Sequence, residues 1–209
     1  EAGQDGGQGI ARGRDLMERI AAFVLERPAS LAEAVALLAA TPGARPLAGG
    51  TDLLPNLRDG IGESPVLVDL GGIGEFSALT VERERTTIGA GVTLARIASD
   101  AAITLALPAL AEAAATVAGP GHRTVATLGG NLCLDTRCVF YNQSEWWRRA
   151  NDFCLKHGGE VCHVAPQGKR CHAAFSGDLA PVLLVLGAEV ELVGPAGARR
   201  LPLADLYVE

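Results

Sequence analysis

The chain has 209 residues, 48% hydrophobic and 20% charged, with a formal net charge of −6; this is a globular composition with enough apolar residues for one sizeable core or two small ones. The acidic balance, with no basic run longer than pairs such as Arg148–Arg149 and Arg199–Arg200, argues against a nucleic-acid surface. No apolar stretch reaches the roughly 18–20 residues a bilayer crossing requires: the run from Ala101 is broken by Pro108 and Glu112, and that from Leu179 by Pro181 and Glu189, so a cytoplasmic protein with no membrane or nucleic-acid partner is expected.

Residues 1–16 are glycine-rich, without apolar period or the apolar core of a secretory signal. They read as a disordered leader, with Met17 as the start of order. Ile20 to Leu25 reads as a strand. Ser30-Leu-Ala-Glu33 is a capping box, opening a helix whose apolar face is Leu31, Val35, Leu37 and Leu38 and which stops at Pro42-Gly43. Arg45 to Ala48 is a short strand running into Gly49-Gly50-Thr51-Asp52, followed by a helical turn from Leu53 to Leu57. Residues 17–65 are thereby expected to form a small α/β subdomain and 66–209 a larger α+β one.

In the second part, Val66–Leu70, Ala78–Glu82 and Thr86–Gly89 read as strands. Leu94–Ser99 and Ala109–Val117 read as helices, the second opened by Pro108. Leu179–Leu186, apolar all round, reads as a buried helix, and Glu189–Val193 with Ala198–Leu201 as a hairpin about Gly194-Pro195-Ala196-Gly197. Strands and helices mix without strict βαβ alternation, which gives an α+β class.

The 46 residues between Asn131 and Asp178 have little periodicity, far beyond the roughly 12–15 residues at which structureless loops become rare. Five of the nine aromatics (Phe140, Tyr141, Trp146, Trp147 and Phe153) lie within fourteen residues of this segment, whereas disordered segments are poor in aromatics. All five cysteines, Cys133, Cys138, Cys154, Cys162 and Cys171, fall in one 39-residue stretch. Clustered cysteines in a cytosolic chain read as metal ligands or redox groups before disulfides. The segment 132–177 is therefore expected to be a metal-held loop, with the tryptophans packed around the metal.

Gly49-Gly50-Thr51-Asp52 places paired glycines between a strand and a helical turn, where the backbone can approach a diphosphate and aim amides at it; a tight turn with no ligand is the simpler reading of one such doublet. Thr127-Leu128-Gly129-Gly130-Asn131 is a second loop of this type, and two of them suit a dinucleotide gripped from both sides. His122 and Arg123 read as solvating a turn, and Asp178 as a helix N-cap. For Cys138, Cys154, Cys162 and Cys171, separated by 16, 8 and 9 positions, spacing alone leaves iron–sulfur and zinc open. His157, His163 and His172 in the same loop keep a Cys₃His or Cys₂His₂ zinc site in contention.

Three of these segments, Ala48-Gly-Gly-Thr-Asp52, Ala126-Thr-Leu-Gly-Gly-Asn131 and Gly177-Asp-Leu-Ala-Pro181, resemble the signatures of the FAD-binding subunit of the molybdenum hydroxylases, in the same order. The cysteine loop, Asn131-Leu-Cys-Leu-Asp-Thr-Arg-Cys138 followed by Phe-Tyr-Asn-Gln-Ser-Glu-Trp-Trp147, is similar to that of the β subunit of the 4-hydroxybenzoyl-CoA reductases. The resemblance implies a two-lobed FAD-binding fold with a [4Fe–4S] cluster on Cys138, Cys154, Cys162 and Cys171, leaving Cys133 free. It implies that Arg45, Pro46, Leu47, Ala48, Gly49, Gly50, Thr51 and Asp52 line the FAD diphosphate. Thr127, Gly130 and Asn131 would lie on its other side and Asp178 at the ribose or adenosine end. It further implies an electron-transfer role without catalytic residues in this chain. Electrons from an external donor such as ferredoxin would pass through cluster and FAD to a [2Fe–2S] small subunit and a molybdenum-cofactor large subunit, for reductive dehydroxylation of 4-hydroxybenzoyl-CoA. A xanthine or carbon monoxide dehydrogenase type and a zinc-stabilised binding module are the alternative readings. The resemblance also implies a further α+β domain beyond the position of Glu209, which is expected to be missing from this chain.

Overall fold

A computed structural model describes residues 20–207; the expected leader over 1–16, and Met17, lie outside the described residues. The first lobe runs β1 (Val24–Glu26), α1 (Leu31–Ala40), β2 (Arg45–Leu47), α2 (Leu53–Arg58) and β3 (Val66–Asp69). Its three strands are parallel in the order β1–β3–β2, with Val24 opposite Val66 and Arg45 opposite Leu67. β3 is buried on both sides, as the central strand of a parallel sheet must be, and Ala34 of α1 packs with Val68 and Ile73. Because β3 holds this sheet together, the lobe boundary expected at 65/66 moves past Asp69.

The capping box forms with one change of partner. Ser30 Oγ accepts from the Glu33 amide at 3.2 Å, but Glu33 Oε2 reaches the Ala29 amide at 2.8 Å, one residue before the cap. The strand expected from Ile20 starts only at Val24, whose amide donates to the Pro65 carbonyl at 2.9 Å; a strand extends only as far as its ladder.

The second lobe begins with an antiparallel pair, β4 (Leu79–Val81) and β5 (Thr86–Ile88). The helices α3 (Leu94–Ser99), α4 (Ala101–Ala106), α5 (Pro108–Thr116), α6 (Pro120–Arg123) and α7 (Leu128–Leu132) follow. Thr93 caps α3 and Asp100 caps α4 through side-chain bonds to first-turn amides, satisfying donors with no partner inside the helix. The chain closes with α9 (Ala180–Val185) and the hairpin β6 (Glu189–Gly194) and β7 (Gly197–Pro202). Leu94, Ile97, Ile103, Leu110, Leu179 and Leu203, all fully buried, belong to one core. At about 25 cal/mol per Å² of apolar surface, such burial is what holds these short helices, which would not persist alone. The result is α+β, a parallel lobe beside a helical lobe with antiparallel ribbons.

α9 departs from expectation. Leu179, Ala180 and Leu183 are buried, but Leu184 is 41%, Val185 88% and Leu186 45% exposed. A sequence apolar on every side cannot reveal which side the core covers. Between α7 and α9, within the second lobe, lies the segment 132–177, which contains more regular structure than its lack of periodicity suggested. Its helix α8 (Glu145–Ala150) is capped by Ser144 onto the Trp147 amide, and Leu155–His157 forms a 3₁₀ turn. Arg137 and Ala174 pair as an isolated antiparallel bridge at its neck. No helix among the described residues is long and apolar enough to cross a membrane.

Candidate functional site

The three signature segments, spread over more than 120 residues of sequence, meet in space. Gly49 lies so close to the Val125 carbonyl and the Ala126 Cα that a Cβ on it would collide with the Val125 backbone. Only glycine permits that approach. Gly177 packs as tightly over the Asn131 carbonyl. Asn131, only 6% exposed, donates from Nδ2 to Asp178 Oδ2 at 3.1 Å and accepts the Leu179 amide on Oδ1 at 2.9 Å. Asp178 is thus not the N-cap of α9: that position is Leu179, and the Asp178 carboxylate bonds to Asn131 instead.

The two glycine loops differ in how they use their amides. In the first, Gly50 is left-handed at φ +70°, which turns the chain into α2. Among the described residues, no acceptor claims the amides of Gly49, Gly50, Thr51 or Asp52. A run of donors without acceptors is a ready-made anion cradle. The second segment is no free loop but the start of α7. The Leu128 amide donates to Val92 O at 2.9 Å, Gly129 to Ala90 O at 2.8 Å, Gly130 to Thr127 Oγ1 at 3.1 Å and Asn131 to Thr127 O at 2.9 Å. Thr127 is therefore an N-cap, and this strip serves as a wall whose amides are already paired.

His122 and Arg123 fall on α6, and Arg123 donates to the carbonyls of Val117 and Ala118 at 2.8 and 2.7 Å; it closes the end of α5 and does not point to a ligand.

The cysteine segment is tied to the first loop. The Arg137 guanidinium pairs with Asp52 and also reaches Asn56 Oδ1 at 3.4 Å, while Asn56 Nδ2 donates to Asp52 Oδ2 at 3.1 Å. Arg137 directly precedes Cys138, so the first glycine loop and the cysteine site share one polar contact.

Cys138, Cys154, Cys162 and Cys171 line a single cavity, with Tyr141 and Lys156 among its other walls. Cys133 lies outside it. The backbone is forced into place here: Asp152 (φ +56°) and Phe153 (φ +55°) are consecutive non-glycine residues in the left-handed region, at about 1–3 kcal/mol each. They are held by the Phe153 amide on Arg148 O at 2.9 Å and by His163 Nε2 on Phe153 O at 2.8 Å, and they set the direction of Cys154. The amide of Ala165 holds the Cys162 thiol below its ordinary value; burial opposes this, and the amides of His172 and Val164 reinforce it. Such donors favour a thiolate, the form that ligates metal.

Among the described residues, no group of three His, Cys, Asp or Glu side chains could hold one metal ion. Of the three histidines that kept zinc in contention, one has a ring nitrogen committed elsewhere: His163 Nε2 bonds to the Phe153 carbonyl at 2.8 Å. Of the two tryptophans expected to pack around the metal, Trp147 packs on Phe140, a wall of the cavity, at 6.3 Å. Tyr141 is the buried ring, whereas Trp146 is 74% exposed.

The sequence is similar to known flavoproteins over most of its length. The xanthine dehydrogenase FAD-binding subunit of Escherichia coli O157:H7 is 30% identical over 182 residues, 87% of this chain and 49% of that protein. The carbon monoxide dehydrogenase medium chain of Afipia carboxidovorans is 30% identical over 186 residues, 88% of this chain and 51% of that one. The crystal structure of quinoline 2-oxidoreductase from Pseudomonas putida 86 superposes with a TM-score of 0.66 at 26% identity, covering 90% of this chain and 52% of that one. The chain spans about half the length of the curated relatives it matches. The model of the FAD binding domain in molybdopterin dehydrogenase matches residues 21–209, and with the three signatures joined in one place, the chain belongs to that family of FAD-binding domains.

Proposed function

We propose that this chain is the FAD-binding part of a molybdenum hydroxylase and carries electrons between an external donor and partner subunits that hold [2Fe–2S] and molybdenum centres. The observation that carries this reading is the run of unclaimed amides from Gly49 to Asp52, facing the wall of Val125 to Asn131 in a chain of the FAD-binding family. Arg45 to Asp52 hold the diphosphate, with Gly49 to Asp52 as its amide donors. Thr127, Gly130 and Asn131 shape the opposite wall, and Asp178, fixed by Asn131, stands toward the ribose or adenosine end. The flavin supplies the redox chemistry; this chain's residues bind and orient it.

We further propose a [4Fe–4S] cluster on Cys138, Cys154, Cys162 and Cys171. The shared cavity and the amides aimed at Cys162 support it. A second, narrower reading, a 4-hydroxybenzoyl-CoA reductase type fed by a donor such as ferredoxin, rests on the cysteine segment alone, whereas the xanthine and carbon monoxide dehydrogenase relatives support the wider reading. Substrate choice lies with residues outside this chain in either case.

Anaerobic purification tests both cofactors. The expected protein is brown, with flavin absorption over a broad iron–sulfur shoulder, one FAD released per chain on denaturation, and four irons. A colourless protein with stoichiometric zinc would reject the reading. Flavin without iron would keep the FAD site and reject the cluster.

A further inference from the structure

The largest fully buried side chain in the described structure is a charged one, Arg148 on α8, at 1% exposure. Its guanidinium donates to three backbone carbonyls: Asp59 at 3.2 Å, Gly60 at 2.8 Å and Gln143. Its Nε has no partner. Among the described residues, no carboxylate lies within ion-pair distance of it; its neighbours Arg149 and Lys156 have Glu145 and Asp135, respectively. Carbonyl dipoles soften the burial of a cation but do not neutralise it, and buried charges are normally paired with an opposite charge.

The guanidinium stands 6.0 Å from the centroid of Tyr141, which lines the cysteine cavity, and Lys156 lies 4.6 Å from the same ring. The whole segment has the same bias. Residues 132–177 carry Arg137, Arg148, Arg149, Lys156, Lys169 and Arg170 against Asp135, Glu145, Asp152 and Glu160; with Arg137 paired to Asp52 outside the segment, a surplus of one positive charge remains in a chain whose net charge is −6. A charge deficit built around four cysteines is filled when those cysteines hold an anionic centre. A four-iron cluster with four thiolates is anionic in both redox states and becomes more negative by one charge when it accepts one electron.

We infer that Arg148 is the buried counter-charge of the cluster and raises its reduction potential, an inference that rests on the cluster reading above. A fixed cation in a low-dielectric surrounding attracts the added electron, so the reduced form gains more than the oxidised form. Arg148 touches no reacting atom and acts as a positioning and tuning residue.

The test uses the chain in its complex, purified anaerobically, with Arg148→Gln, Arg148→Met and Arg148→Lys compared by iron content and by dithionite titration followed by electron paramagnetic resonance. Arg148→Gln keeps an amide donor for the carbonyls while removing the charge. The expected result is full iron with a lower midpoint potential in the neutral variants, and a potential near wild type in Arg148→Lys. If both neutral variants lose iron while Arg148→Lys retains it, the charge is required and the inference stands. An unchanged potential in an iron-loaded Arg148→Gln overturns it and leaves the cluster reading intact. Iron loss in all three variants makes Arg148 a docking residue only. Wild-type protein without iron removes the cluster reading, and this inference with it.

Discussion

Asn131 and Asp178, 47 positions apart in sequence, are joined by a 3.1 Å hydrogen bond, and the same asparagine accepts the Leu179 amide at 2.9 Å. One side chain thereby closes the base of the whole cysteine segment. Asn131→Ala leaves a buried amide and a carboxylate without partners, at about 1–3 kcal/mol. Chemical denaturation should show that loss of stability, and Asn131→Asp should fare worse because two carboxylates would then face each other. Wild-type stability in Asn131→Ala would mean that the neck is held from elsewhere.

The first glycine loop gives a flavin-specific prediction. Gly50 is left-handed, and a Cβ there would stand 3.0 Å from Leu54 Cδ1. Gly50→Val adds about 1–2 kcal/mol of backbone strain and fills the space beside the unclaimed amides. FAD occupancy, read from absorbance and acid release, should fall severely while iron content holds. Full flavin in this variant would reduce the doublet to a turn.

Serine replacements separate ligands from bystanders. Cys138→Ser, Cys154→Ser, Cys162→Ser and Cys171→Ser should each lose most of the iron and loosen the segment to proteolysis, since metal binding there is also folding energy. Cys133→Ser should retain iron. Retention in Cys171→Ser together with loss in Cys133→Ser would reverse the assignment.

Arg137 and Asp52 join the cysteine segment to the first glycine loop. The pair is half-buried and shares Asn56, so a double-mutant cycle with Arg137→Ala and Asp52→Ala should give a coupling of about 1 kcal/mol. Both single variants should also bind FAD more weakly in titration. Additive effects would show that the two regions are independent.

Much of the fold is carried by local signals. Ser30 with Glu33, Pro108 at the start of α5 and the Gly194–Gly197 turn of the last hairpin act within a few residues, and the structure has them where the chain alone places them. α8 had a local signal as well, Ser144 ahead of Glu145-Trp146-Trp147, but it is a single turn and a half without apolar period. Where an apolar run had no polar face, as from Leu179 to Leu186, nothing in the sequence distinguished the covered side from the exposed one.

The residue types of the site were thus determined by the sequence alone: paired glycines with a hydroxyl or amide neighbour, and four cysteines in an aromatic-rich segment. Tertiary structure decided which of them still have bonds to offer. Gly49 to Asp52 and Gly129 to Asn131 read alike as strings of residues, yet only the first keeps its amides unclaimed, because in the second Gly129 gives its amide to Ala90 and Gly130 and Asn131 give theirs to Thr127. Asp178 likewise reads as a cap until Asn131 is brought beside it. A hydrogen bond is satisfied by whatever the fold places within about 3 Å; the Thr127 cap on Gly130 and Asn131 is local, but for Gly129 and Asp178 the partner comes from a distant part of the chain that no local pattern encodes.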